Sequence, residues 1–345
     1  MVLCWRCHNL TSLCLSATAH DVRWIHVQQR RQHRRCRACA MKDFNGKVAV
    51  VTGAVSGIGR ALAERCMAEG VAGLVIGDLN PDDLTTAAQE LDTLGPGAVL
   101  PVAMDAGKLE DVQHLLDETL SAFGAVHLAC FNAGVGGREG SSSVLDADIE
   151  SWQWVEAVNK WGVLYGCKLF GRYMADAALA GGTESHIVNT ASMAGLASGG
   201  LGAYSTSKHA VVGITEKLAM ELQANGAFPT MGASVLCPAF VATNIFDSER
   251  YYKTGGSVKI DEAKAGMAVK MLSKGGARIL SPQEVSDMVF ASIARRELYI
   301  LPHAAEAEMA VNSRAETVLR KVVPPLPASL RVAEEQQEDA TKARL

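Results

Sequence analysis

Lys47-Val-Ala-Val-Val-Thr-Gly-Ala-Val-Ser-Gly-Ile-Gly59, followed at once by Arg60-Ala-Leu-Ala-Glu-Arg65, is the stretch on which the architecture turns. A β-branched run gives way to Gly53, Gly57 and Gly59 and then to a helix-forming segment, the pattern of a strand that bends tightly into a helix. A side chain at the glycines would hold backbone N–H groups away from a pyrophosphate. Gly53, Ser56, Gly57, Ile58 and Gly59 therefore form a candidate dinucleotide cradle at the positive end of the helix. A plain tight turn is the alternative that the glycines alone leave open.

Outward from this turn the chain keeps alternating short apolar runs with longer amphipathic segments, which signals βαβ units and an α/β fold. Strands are expected at 47–52, 73–78, 98–104, 126–131, 185–191, 231–237 and 297–301. Helices are expected at 57–70, 81–94, 107–123, 148–178, 203–225 and 281–295. The pattern predicts one doubly wound (Rossmann-like) parallel sheet of about seven strands, with helices on both faces and no second catalytic domain. After Pro238 the rhythm breaks for about forty residues, 239–280, a length that suggests a lid or a disordered loop. Beyond His303 the chain is Ala/Glu-rich, either partly helical and packed or a frayed tail.

The second strand ends at Asp78, nineteen residues past Gly59. A carboxylate there can accept hydrogen bonds from the adenosine ribose hydroxyls and would repel a 2′-phosphate. Neither Leu79 nor Asn80 supplies the cation of an NADP site, so NAD is favoured over NADP. Asp78 as an N-cap or turn residue before Pro81 is the structural alternative.

Tyr204 and Lys208 open an apolar helix at a spacing that puts both on one face. A free phenol is a poor base at neutral pH, and a neighbouring ammonium is expected to bring its pKa down. Twelve residues before the tyrosine, the strand Ile187-Val-Asn-Thr-Ala191 ends at Ser192, at the carboxyl edge of the sheet where open α/β sheets bind ligands. A hydroxyl there can stabilise charge on a substrate oxygen, unless it only caps a turn.

Taken together, these pieces resemble the short-chain dehydrogenase/reductase family in its common single-domain form, over roughly 47–302. The family's order is kept: Thr52-Gly-x-x-x-Gly-x-Gly59, Asp105, Asn132-Ala133-Gly134, Asn159, Ser192 and Tyr204-x-x-x-Lys208. The resemblance implies that Tyr204 is the acid/base, that Lys208 lowers its pKa and binds the nicotinamide ribose, and that Ser192 polarises the carbonyl. It implies that Asn159 holds a water linking Lys208 to solvent; a helix-bending role is the other reading. Asp105 and Ala106 would lie at the adenine, Asn132, Ala133 and Gly134 beside the cofactor, and Pro238, Val241 and Thr243 towards the nicotinamide. The sequence departs from the family's usual pattern at Phe131, Ala106 and Ala239, none of them a catalytic position.

The implied reaction is hydride transfer between NAD(H) and a secondary alcohol or ketone. Phe240, Ile245, Phe246, Tyr251, Tyr252, Met267 and Met271 give the 239–280 segment an apolar character that suits an apolar or aromatic substrate body, or simple packing. A catalytically silent sensor or scaffold with the same fold is the competing reading; the complete Ser-Tyr-Lys-Asn set favours the enzyme. A homotetramer or homodimer through the helices at 148–178 and 203–225 is also implied.

Composition bounds the remaining possibilities. Of 345 residues 48% are hydrophobic and 20% charged, as in an ordinary globular chain. The net charge of -4 divides into +6 on residues 1–40 (seven Arg against Asp21) and -10 on the rest, and an acidic body argues against a nucleic-acid partner. Cys66, Cys130, Cys167 and Cys237 fall in apolar runs, read as buried thiols in a reducing, cytoplasmic setting. No membrane span is expected. The Arg/Cys-rich leader 1–40 is expected to be disordered or outside the working protein. A mitochondrial transit peptide is a second reading, and zinc held by Cys4, Cys7, Cys36 and Cys39 is a third.

Overall fold

The computed structural model describes residues 41–138, 141–198, 200–252 and 278–324, apart from the side chains of Phe246 and Arg250. The leader, Met267, Met271 and the chain beyond Pro324 lie outside the described residues.

Seven strands make one parallel sheet: β1 (Val48–Thr52), β2 (Gly73–Asp78), β3 (Ala98–Ala103), β4 (Leu128–Phe131), β5 (Ser185–Thr190), β6 (Met231–Leu236) and β7 (Tyr299–Ile300), in the order β3-β2-β1-β4-β5-β6-β7. Every residue of β1, β4, β5 and β6 is buried, so β1 and β4 read as nearly continuous apolar runs rather than alternating ones, while β5 also buries Ser185, His186, Asn189 and Thr190. Pro101 is tolerated because β3 is an edge strand.

Helices α1 (Gly57–Ala68), α2 (Pro81–Leu91) and α7 (Pro282–Arg295) lie on one face, where Leu62, Leu84, Leu91, Val285 and Val289 pack with Val51 and Ile76. On the other face α3 (Leu109–Phe123), α5 (Gly162–Leu179) and α6 (Ala203–Asn225) bring Leu115, Phe170, Met174, Val211 and Leu222 onto Val50, Ala129 and Ile187. Local chemistry sets the helix ends. Asn80 caps α2 by accepting from the N–H groups of Asp82 and Asp83, Ser281 and Glu284 form a reciprocal capping box on α7, and Gly124 closes α3 in the left-handed conformation. The alternative role for Asp78 as the cap before Pro81 is thus taken by Asn80. Phe44 packs at a tilt against Phe290 with centroids 4.7 Å apart, tying the segment before β1 to α7.

The helix expected at 148–178 carries a π turn within it: α4 (Ile149–Glu156) leads through Ala157–Trp161 into α5. After β7 the chain forms α8 (Ala304–Arg320), the helical one of the two readings for the segment beyond His303. The four cysteines outside the leader are free and buried, as read. Among the described residues no helix is long and apolar enough to cross a membrane.

Candidate active site

Strand order reverses between β1 and β4, so their carboxyl ends diverge and leave a crevice at that edge of the sheet. The glycine turn opens into it. Gly53 (φ 67°) and Gly57 (φ 58°) adopt left-handed backbone that a side chain would strain. Gly59 is needed for proximity: a Cβ there would stand 2.6 Å from Asn132 Nδ2 and closer still to the Gly53 carbonyl oxygen. The first turn of α1 is thereby pressed against the end of β1, and Ser56, at its N-cap, makes no side-chain capping bond. Ile58 packs into the core below, and the Thr243 methyl faces Gly57 from the far side of the crevice.

Asp78 sits at the tip of β2 and accepts from the Val55 N–H (3.2 Å) and the Leu79 N–H (2.8 Å). Its carboxylate is therefore fixed within the glycine turn. Asp105 follows β3 and accepts from the Gly107 N–H (2.9 Å), and the Ala106 carbonyl lies against Gly162 at the start of α5. Asn132 spans the crevice floor. Its Nδ2 donates to the Gly53 carbonyl (3.4 Å), and its Oδ1 accepts from Thr190 Oγ1 (3.2 Å). The N–H groups of Asn132 and Ala133 both donate to Thr52 Oγ1, at 3.0 and 3.1 Å.

Ser192, Tyr204, Lys208 and Asn159 meet at the same edge, one strand further on. Ser192 Oγ donates to the Pro238 carbonyl (3.3 Å), accepts from the Ala194 N–H (3.1 Å) and lies beside the Tyr204 phenol. It thus caps a short 3₁₀ turn (Met193–Gly195) and faces the tyrosine, so the cap and site readings both describe it. Lys208 is buried, donates to the Thr190 carbonyl (2.9 Å), and holds its ammonium 5.5 Å from the centre of the Tyr204 ring.

Asn159, fully buried in the π turn, brackets Val135: Oδ1 accepts from its N–H (2.8 Å) and Nδ2 donates to its carbonyl (2.9 Å) and to Ser207 Oγ (3.1 Å). Asn159 thus makes these bonds from within a π turn of the helix. A Cβ at Gly134 would lie 3.3 Å from both Asn159 Oδ1 and Lys208 Nζ. The glycine's missing side chain therefore leaves a small space between those two groups.

The electrostatics reverse one expectation. Burial pushes the Tyr204 phenol above its ordinary pKa, although the side chain as a whole keeps some exposure; the Ser192 hydroxyl beside it opposes this without overcoming it. Burial also brings Lys208 down to about 8. Both groups are desolvated, and each loses more from burial of its charged form than it recovers from its neighbours.

Some supporting groups escaped the sequence reading. Thr52 and Thr190, the last residues of β1 and β5, receive the backbone of the Asn132 segment and the Lys208 ammonium, yet in the sequence Thr52 stands out only as the head of the glycine motif and Thr190 only as a strand residue. Cys237, just past β6, is a neighbour of Lys208 whose thiol burial pushes up to about 12. Beyond Pro238, Val241 bridges to Leu280, and a 3₁₀ segment (Ile245–Tyr251) docks through Ser248 Oγ, which accepts from the Gly136 N–H (2.7 Å). Tyr252 lies under the Arg138 guanidinium (4.5 Å) and against Trp154 (5.2 Å), so its ring is used in packing.

The short chain dehydrogenase family model matches residues 47–253. A Mycobacterium tuberculosis protein named "Probable oxidoreductase EphD" is 32% identical over 265 residues, which is 76% of this chain but 42% of that protein, so the chain spans less than half its length. The 3beta-hydroxysteroid dehydrogenase 2 of Eggerthella lenta is 32% identical over 70% of this chain and 85% of its own. A crystal structure of a short-chain dehydrogenase/reductase from Burkholderia phymatum, in complex with NAD, superposes with a TM-score of 0.72 at 36% identity, covering 83% of this chain and 99% of that one. With the family model spanning more than half of its length, this chain belongs to the short-chain dehydrogenase family.

Proposed function

We propose that the protein is an NAD(H)-dependent oxidoreductase that interconverts a secondary alcohol and its ketone. The observation that carries this is convergence: Ser192, Tyr204 and Lys208 lie together at the edge of the sheet where the glycine turn and Asp78 also open. The fit of a dinucleotide rests on the turn itself. Backbone that a Cβ would strain at Gly53 and Gly57, at the start of α1, supports pyrophosphate binding by Gly53, Ser56, Gly57, Ile58 and Gly59. The Asp78 carboxylate suits ribose hydroxyls and opposes a 2′-phosphate, which favours NAD over NADP. Asp105 and Ala106 would border the adenine, Asn132, Ala133 and Gly134 the crevice floor, and Pro238, Val241 and Thr243 the nicotinamide side.

When bound, the nicotinamide supplies or accepts the hydride. The protein's part is to hold the substrate and manage one proton. Tyr204 exchanges that proton with the substrate oxygen, acting as acid in reduction and base in oxidation. Ser192, whose single hydroxyl proton faces Pro238, turns it to the substrate oxygen as charge develops there. Lys208 supplies the positive charge beside the phenol, and Asn159, across the space that Gly134 leaves open, supports a proton path from Lys208 outward. Phe240 and Ile245, from the apolar stretch after Pro238, would favour a substrate with an apolar body. The name of the Eggerthella relative agrees with a ring-bearing secondary alcohol.

The test is a panel of cyclic and aromatic secondary alcohols and ketones, followed by NADH absorbance with NADPH in parallel. Tyr204→Phe should bind NADH as the parent does and lose turnover by about four orders of magnitude. An unchanged rate on a working substrate would remove the phenol from the reaction, and NADH binding with no turnover of any alcohol would favour a silent sensor.

A further inference from the structure

His303 follows β7, far in sequence from every candidate catalytic residue, and is almost fully buried, with 3% exposure. Both of its ring nitrogens are engaged. The Ala239 N–H donates to Nδ1 (3.2 Å), and Nε2 pairs with the Arg278 carbonyl (3.1 Å). Since a carbonyl can only accept and Nδ1 is already accepting, the ring is neutral with its proton on Nε2. His303 thus joins the two ends of the long excursion between β6 and α7, where the Val241–Leu280 bridge also closes it.

The Ala239 N–H and the Pro238 carbonyl belong to one peptide unit, which is planar and turns as a single body. The carbonyl side of this unit accepts from Ser192 Oγ (3.3 Å) and from the Met193 N–H (2.8 Å). Its N–H side is held by His303. The orientation of the Ser192 hydroxyl is therefore coupled, through one rigid plane, to an imidazole that does not itself touch the site. Rotation of that plane would take the carbonyl away from Ser192 and leave the serine proton without its resting partner.

We propose that His303 is a positioning residue for Ser192, acting through the Pro238–Ala239 peptide. The role rests on the oxidoreductase reading above, but the contact can be tested without it. His303→Phe keeps the ring volume and removes both hydrogen bonds. His303→Asn places an amide oxygen near the position of Nδ1, keeping the bond to Ala239 and dropping the one to Arg278. His303→Gln reaches towards Arg278 and loses Ala239.

The expected result is that His303→Phe and His303→Gln lower kcat for the alcohol roughly ten- to hundredfold while the dissociation constant for NADH stays within about twofold; His303→Asn stays within about threefold of the parent in both. Amide exchange followed by mass spectrometry across 237–243 should be faster in His303→Phe and His303→Gln and parental in His303→Asn. If His303→Phe fails to fold, the contrast between Asn and Gln decides the matter. Equal kcat for Asn and Gln, or faster exchange without any change in kcat, would overturn the proposal. Should the parent turn over no alcohol at all, the oxidoreductase reading fails, and parental exchange in His303→Gln would then overturn the contact separately.

Discussion

Gly59→Ala tests whether α1 is really pressed against the end of β1. The added methyl would lie 2.6 Å from Asn132 Nδ2, 2.8 Å from the Gly53 carbonyl carbon and nearer still to the Gly53 oxygen. Carbon contacts settle at about 3.5–4.0 Å, so the first turn of the helix must retreat by roughly 1 Å. None of the obstructing groups is the free end of a flexible chain: two are main chain, and the third is an amide held by Thr190 and Gly53. Overpacking of this kind costs about 1–3 kcal/mol, and the upper end applies where backbone must move. At about 2–4 °C per kcal/mol for a domain of this size, melting should fall by about 6–12 °C. NADH affinity should fall at least about tenfold, because the displaced N–H groups are those that would meet the pyrophosphate.

Gly213→Ala provides the opposite sign in the same fold. It lies in the middle of α6, where an added methyl would meet nothing within 4 Å beyond its own stretch of helix backbone, so the substitution should stabilise by about 0.5–1 kcal/mol, a rise of roughly 1–4 °C. Differential scanning fluorimetry with and without NADH measures both variants. A Gly59→Ala protein that melts within about 1 °C of the parent and binds NADH equally well would show that the helix does not depend on that approach.

Other sites give independent checks. Asp78→Asn should shrink the preference for NAD over NADP about tenfold by removing the charge that opposes a 2′-phosphate. The Val55 and Leu79 N–H groups go to different oxygens of Asp78, and in asparagine one of these becomes an NH2 facing an N–H, so melting should also drop by a few degrees; an unchanged cofactor ratio would acquit Asp78. His186, buried against Ser234 Oγ (2.8 Å), is held down to about 3 by burial and then by Arg296, against 6.5 for the free imidazole. The unfolded chain therefore binds a proton that the folded chain refuses between those values. Stability present above pH 6.5 should decline by about 4–5 kcal/mol as pH falls towards 3, and urea melts of His186→Gln should show a shallower acid limb than the parent. Because burial raises the Tyr204 phenol, kcat/KM for oxidation should climb from neutral pH into the alkaline range as the phenolate forms, while the reductive direction declines. Flat profiles in both directions would contradict an acid/base role for Tyr204.

The fold was legible because the central strands of a doubly wound sheet are buried on both faces, so β1, β2 and β4 announce themselves as apolar runs. All seven strands lie within or close to the expected ranges, and the glycine turn marks where the strand order reverses. Chemistry carried on short spacings was readable as well: Tyr204 and Lys208 share a helix face, and Ser192 ends a strand. What sequence could not convey is energy that depends on depth. The spacing of Tyr204 and Lys208 is the same in a surface pair, where the ammonium would lower the phenol's pKa, and in a buried pair, where desolvation of both groups sends each the other way. The π turn is hidden for a related reason: one extra residue in a helix leaves the apolar periodicity nearly intact, and the Asn159 amide within it pairs with the Val135 main chain, a contact across 24 residues. His303 lies furthest from view. Its partners Ala239 and Arg278 are backbone groups, so no pairing of side-chain types along the chain could reveal it; only the closure of β6, β7 and the excursion between them brings the imidazole to the peptide that holds the serine.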